Sequence, residues 1–268
     1  LKACDAVTTS TEYLAGEVRK LEKPAWVHRN AFSLEMLEKS EAVYCEQTAP
    51  RERSIIGYAS GTPTHNRDFA LIQPALRRVL VQNPQTELWV IGPLEVGEDW
   101  GEAANRIRHL PLVPWRDLPG CLAQFDINLA PLRLDNPFSQ SKSEIKYMEA
   151  ALVRVPTVAS PTDAFQTAIQ TGQNGFLAAT AQEWEESIAV LLQNPQMRQQ
   201  MGQIAYRDVL ARYHPFARTR ELVETLGLIN AQTRGGKQTP GLSFLAGQMP
   251  LEADPVRLPL EAETGPSL

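Results

Sequence analysis

From Ser54 onward, short apolar runs alternate with stretches in which apolar residues recur every three or four positions. Short runs rich in β-branched residues predict buried strands, and recurrence near 3.6 predicts amphipathic helices. The strands expected are Ser54–Ala59, Glu87–Ile91, Arg108–Leu110, Asp126–Ala130 and Pro156–Ser160. The helices expected are Asp68–Val81, Arg116–Gln124, Ser143–Val153, Ala181–Gln193, Gln196–Tyr213 and Pro215–Leu226. This alternation predicts an α/β fold, a Rossmann-like parallel sheet with helices on both faces.

The flanks read differently. Asp5–Ser10 is strand-like, Ser10-Thr11-Glu12 caps a helix reaching about Leu21, and Ala25–His28 is a second short strand. A helix over Leu34–Gln47 precedes the breaker Pro50-Arg51-Glu52-Arg53. After Leu228, closely spaced prolines and glycines leave no room for a regular element, so residues 230–268 are expected to be a disordered tail. No internal repeat is present.

Composition narrows the function classes. A chain of 268 residues, 43% of them hydrophobic, can bury a proper core. A net charge of −5 argues against nucleic acid or an anionic membrane as the main partner. No apolar run approaches the roughly 18 residues of a membrane span. Cys4, Cys45 and Cys121 are scattered and read as reduced thiols in a cytoplasmic protein. His28, His65, His109 and His214 lack metal-ligand spacing, so no metal held by protein ligands is expected. The chain begins at Leu1 with neither an initiator Met nor a signal peptide and reads as a fragment.

The chemistry concentrates in Ser141–Ser160. Lys142, Lys146 and Glu149 are spaced to lie on neighbouring turns of one helix side, with Ser141 and Ser143 as caps. Cations at a helix start oppose the macrodipole, and this misplacement points to an anionic ligand. The alternative is a solvated face carrying a Lys146–Glu149 pair worth a few tenths of a kcal/mol. The loop Ser60–Asp68 offers Ser60, Thr62, Thr64, backbone N–H groups, His65 and Arg67 to an anion, or is an ordinary strand–helix connection. It does not fit G-x-G-x-x-G, which weighs against a nicotinamide enzyme. Leu112-Val113-Pro114-Trp115 follows the third strand at the edge where open α/β sheets bind ligands, and Trp115 either stacks on a base or packs. Asp126 reads as a structural strand-entry residue.

The order of these parts resembles the retaining glycosyltransferases of family 4, which have the GT-B fold. Glu149-Ala150-Ala151 stands on the second glutamate of their motif, and Val153-Arg154-Val155-Pro156-Thr157-Val158-Ala159-Ser160 on its "G-x-P-V-V-A-S" end. Ser141 occupies the first glutamate position, while Lys142, Ser143, Lys146 and Glu149 fit a K-S-x-x-K-x-x-E form. Asp126–Leu132 resembles "A-D-x-x-L-x-P", Thr171–Leu177 resembles "x-G-x-N-G-x-L", and Gln196–Tyr213 resembles the family's late helix. The resemblance covers about residues 4–226. It implies that residues 1–50 end an acceptor-side domain and its linker, and that 51–229 bind a nucleotide sugar. It also implies metal-independent transfer to an unknown glycan, lipid or protein acceptor, with no cofactor beyond the donor. Lys142 and Glu149 are then the catalytic candidates. Ser60, Gly61, Thr62, His65, Arg67, Val113, Lys142, Lys146 and Glu149 are the donor-binding candidates. Ser141 keeps open a nucleotide-sugar-binding module that has lost transfer.

Overall fold

The structure is a computed structural model that describes residues 3–45, 52–97 and 99–233. The chain divides into two compact units, Leu1–Arg218 and Thr219–Leu268. The first opens with β1 (Val7–Thr9), α1 (Glu12–Arg19) and β2 (Ala25–Val27), with β1 and β2 paired in parallel. Thr11 is the N-cap of α1, its hydroxyl accepting from the Leu14 N–H at 3.2 Å. Helix α2 (Leu34–Cys45) follows.

The main sheet is built from β3 (Ser54–Ala59), α3 (Asn66–Gln82), β4 (Thr86–Ile91), β5 (Ile107–Leu110), α4 (Leu118–Leu122), β6 (Ile127–Ala130), α5 (Pro137–Gln140) and α6 (Ile145–Leu152). It continues through β7 (Thr157–Ala159), α7 (Asp163–Ala168), β8 (Phe176–Leu177), α8 (Ala181–Gln193), α9 (Pro195–Tyr213) and α10 (Pro215–Thr233). All six strands are parallel, in the order β5-β4-β3-β6-β7-β8. The winding reverses between β3 and β6, and ligands of such sheets sit beyond the carboxyl ends of the strands at that switch point. The α/β class expected from the alternation is the one observed.

Alternate residues of the strands feed opposite helical layers. Ile56, Tyr58, Leu88, Val90 and Ile127 join Leu76 and Leu80 of α3 and Ile188 of α8 in one core. Ile55 and Ile91 join Leu122, Phe125 and Val153 on the other side. The two layers press closely on β3. A Cβ at Gly57 would fall 2.0 Å from the Phe125 ring, so only glycine lets the Phe125 ring lie against the strand. Asp126 staples this end, its Oδ2 accepting from the Ile55 N–H at 2.8 Å.

The five expected strands form, each within one residue of the expected bounds. Several other expectations fail locally. The helix expected over Ser143–Val153 spans Ile145–Leu152, and neither serine caps it. Its N-cap is Glu144, while Ser141 ends the separate short helix α5. The reason lies in Asn136-Pro137: Asn136 caps α5 by accepting from Phe138 N–H at 3.0 Å, and the proline opens it. The helix expected over Arg116–Gln124 is only Leu118–Leu122, because Asp117 is drawn into a turn on the Pro114 carbonyl at 2.9 Å. Residues 230–233 continue α10, and the rest of the expected tail, 234–268, lies outside the described residues, as do Glu46 and Gln47. Among the described residues no helix is long and apolar enough to cross a membrane.

Candidate functional site

A cavity of about 550 Å³ opens beyond the carboxyl end of β3 at the switch point. Three loops and one helix build it. The β3–α3 connection supplies Ser60, Gly61 and His65. The segment after β5 supplies Leu112, Val113 and Trp115. The α5–α6 region supplies Ser141, Lys142, Ser143, Lys146 and Glu149, and Ser10 enters from the first βαβ unit.

The β3–α3 connection is held close to β4. Ser60 N–H donates to the Ile91 carbonyl at 2.8 Å, and Gly92, at φ +88°, would place a Cβ 2.0 Å from the Ser60 oxygen. Only glycine fits there, because the backbone is left-handed and the neighbouring oxygen occupies the side-chain position.

Lys146 and Glu149 both come from α6 and both are half-buried. The Lys146 ammonium donates to the Ala59 carbonyl and sits 5.1 Å from the centre of the Tyr58 ring. Burial pushes Lys146 down to about 8, with the neighbouring Lys142 charge acting in the same direction against Glu149 and Asp68. Burial raises the Glu149 carboxyl, and the Lys146 charge only partly offsets this. Among the described residues no donor reaches the Glu149 carboxylate within hydrogen-bonding distance. A cation and an acceptor thus face one cavity with capacity to spare.

Lys142 is not on α6 but in the turn between α5 and α6. Its ammonium donates to Asp68 Oδ2 at 3.2 Å, lies 3.4 Å from His65 Nδ1 and sits 5.1 Å from the Phe138 ring centre. Burial alone would raise the Asp68 carboxyl, but the His65 hydrogen bond, the Lys142 charge and the Arg133 N–H together hold it below the usual carboxylate range. The next two residues are anchored elsewhere. Ser143 Oγ accepts from Asn30 Nδ2 at 2.8 Å, and the buried Glu144 accepts from Tyr213 Oη at 2.7 Å and Arg29 Nη1 at 3.4 Å.

The structure therefore brings Ser60, Gly61, His65, Val113, Lys142, Lys146 and Glu149 to one cavity. It does not bring Thr62 or Arg67 there. Thr62 pairs with Thr64 Oγ1 at 2.7 Å, and Arg67 lines a neighbouring cavity of about 400 Å³ that shares Lys142. Arg67 lies in the first turn of α3, which begins at Asn66, and the residue that this turn buries is the next one, Asp68. Trp115 is 42% exposed, with the Arg116 guanidinium 4.4 Å over its ring. Ser10 and Asp68 were not singled out from sequence. Ser10 is far away in the chain, and an acidic residue in the first turn of a helix is ordinary. Among the described residues no group of three His, Cys, Asp or Glu is arranged to hold a metal.

The family profile described as "Glycosyl transferase-like" matches residues 67–224, more than half of the chain, and the chain belongs to that family. A search of curated proteins finds no match. Solved structures with the same fold include HepE of Anabaena in complex with UDP and glucose, at 18% identity and TM-score 0.65, covering 84% of this chain and 64% of that one. Sucrose-phosphate synthase of Thermosynechococcus elongatus aligns at 15% identity and TM-score 0.66, covering 87% and 60%. A glycosyltransferase of Rickettsia africae aligns at 14% identity and TM-score 0.62, covering 84% and 63%. The chain thus spans 60–64% of the length of these proteins. The shared architecture is the GT-B one, and the sheet described above corresponds to its C-terminal half.

Proposed function

We propose that this chain carries the donor-binding site of a glycosyltransferase, which takes a nucleoside-diphosphate sugar and transfers the sugar to a glycan, lipid or protein. The observation that carries the reading is the convergence of Lys142, Lys146 and Glu149 on one cavity at the switch point of a parallel sheet. HepE, solved with UDP and with UDP-glucose, makes uridine nucleotides the first ligands to try.

The chemistry follows from the groups present. Breaking the bond between sugar and diphosphate builds negative charge on the leaving phosphate. Two ammonium groups already fixed at the cavity wall stabilise that charge without reorganising. Lys146 gains most, since an arriving anion relieves the desolvation that depresses it. Glu149 accepts hydroxyl groups of the ribose or sugar, a role for which its carboxylate is free. The Val113–Trp115 segment takes the base, and Gly61 offers its backbone N–H to the phosphates, on a loop that the Ser60 N–H ties to the Ile91 carbonyl. Because lysines supply the positive charge, the reading includes metal independence. By resemblance it also includes retention of configuration, membership of family 4 and a cytoplasmic location.

A second reading is a nucleotide-sugar-binding module without transfer. It is favoured by Ser141, which lines the cavity where the resemblance has its first glutamate, and whose hydroxyl is committed to the Phe138 carbonyl at 2.7 Å. Release of UDP from UDP-sugars in the presence of a panel of acceptors separates the two. Turnover supports the enzyme, and tight donor binding without release supports the module.

A further inference from the structure

Asp68 is 3% exposed and uses both carboxylate oxygens. Oδ1 accepts from the Arg133 N–H at 3.1 Å and from Ser139 Oγ at 3.4 Å, gathering the loop that follows β6. Oδ2 takes the Lys142 ammonium at 3.2 Å and His65 Nδ1 at 3.3 Å. One carboxylate thus joins the start of α3 to the loop that carries Lys142. The Lys142 side chain remains 20% exposed and lines the donor cavity. Of the three N–H donors of an ammonium, one goes to Asp68 and one faces His65 Nδ1 at 3.4 Å, which leaves the third for a ligand.

We infer that Asp68 is a positioning residue that fixes Lys142 on the diphosphate of the donor, through the bond between its Oδ2 and the lysine ammonium. The inference rests on the nucleotide-sugar reading above. Two effects of Asp68 oppose one another. Its negative charge screens Lys142 and by itself weakens anion binding. Its hydrogen bonds hold a side chain with four flexible carbons, and the loop beneath it, in one place. Positioning outweighs screening here because both oxygens are engaged on the loop as well as on the lysine, so their loss frees Arg133, Ser139 and Lys142 together. The opposing signs make the role testable. A carboxylate that merely suits the first turn of α3 would have no specific effect on phosphate binding.

The experiment is calorimetric titration of the full chain with UDP and with uridine, for the wild type, Asp68→Asn, Lys142→Ala and the double variant. Asp68→Asn is expected to weaken UDP binding about tenfold, the scale of one charge-assisted hydrogen bond, and to leave uridine within about twofold. In the Lys142→Ala background the same change is expected to cost nothing further, as for two groups acting through one contact. Unchanged or tighter UDP binding by Asp68→Asn overturns the inference, as do additive effects or an equal loss for uridine. If Asp68→Asn does not fold, Asp68→Glu serves, since it keeps the charge and moves the carboxylate. Wild-type affinity for UDP in that variant overturns positioning. A wild-type chain that binds no UDP overturns both readings, whereas binding that ignores Asp68 overturns only this one.

Discussion

Lys146 and Glu149 stand three residues apart on α6, line the same cavity, and have pKa values that burial drives towards each other, Lys146 down to about 8 and Glu149 upward. Each is the main compensation for the other's lost hydration. A ligand that brings both an anion and hydroxyl groups satisfies the two at once, which neither surface lysines nor a solvated helix face would need.

This relationship sets a pH dependence. Lys146 is depressed from its ordinary 10.5 to about 8, so the folded chain binds fewer protons than the unfolded one between those values. Stability of the ligand-free protein therefore rises with pH across that window. Diphosphate binding has the opposite trend, because it requires the ammonium. UDP affinity is expected to be flat up to pH about 8 and then to fall by at most about tenfold per pH unit. Calorimetry from pH 7 to 9.5 on the wild type and Lys146→Met checks it, and the variant should bind weakly and lose the slope.

Glu149→Gln removes the charge that best offsets the buried Lys146 ammonium, so the melting temperature of the free chain at pH 7 should fall in spite of the carboxylate's own burial cost. Affinity for uridine and UDP-sugars should drop, while inorganic pyrophosphate changes less. The variant also removes an opposite charge beside Lys146, so the midpoint of the pH profile should move below the wild-type value. An unchanged midpoint would show that the two charges do not interact.

Two structural predictions test the scaffold beneath the site. Tyr213→Phe takes the 2.7 Å hydrogen bond from Glu144, which is 2% exposed. The loss should be about 1–3 kcal/mol, the penalty for a buried acceptor left short of a donor. It would be seen as a lower urea midpoint with an unchanged slope.

Gly57→Ala places a methyl group 2.0 Å from the Phe125 ring on a strand buried on both faces. Destabilisation of about 1–3 kcal/mol is expected from overpacking. A Gly57→Ala, Phe125→Leu pair should recover part of it.

The main sheet was legible because alternate residues such as Ile55 and Ile56 feed two different cores, which makes β3 a continuous apolar run. Strand β8 was not, since two residues, Phe176–Leu177, carry no pattern of their own and pair only because β7 lies beside them. At the site, the spacing of Lys142, Lys146 and Glu149 was read as one helix, whereas Asn136-Pro137 starts a separate short helix and leaves Lys142 in a turn. The lysine still reaches the cavity, because Asp68 holds it from 74 residues away. Nothing local in either segment encodes that partnership. Thr62 and Arg67 looked equivalent to Ser60 and His65 in a polar loop, and only the course of the backbone into α3 separates them.

The most direct test of the donor-site reading is titration of UDP into the wild-type chain and into Lys142→Ala and Lys146→Ala at pH 7. Each variant removes a charge-assisted bond of about 1.5–3 kcal/mol, so the expected result is saturable wild-type binding weakened about tenfold to a hundredfold in each variant. Equal affinities in all three proteins, or no binding by the wild type, would contradict it.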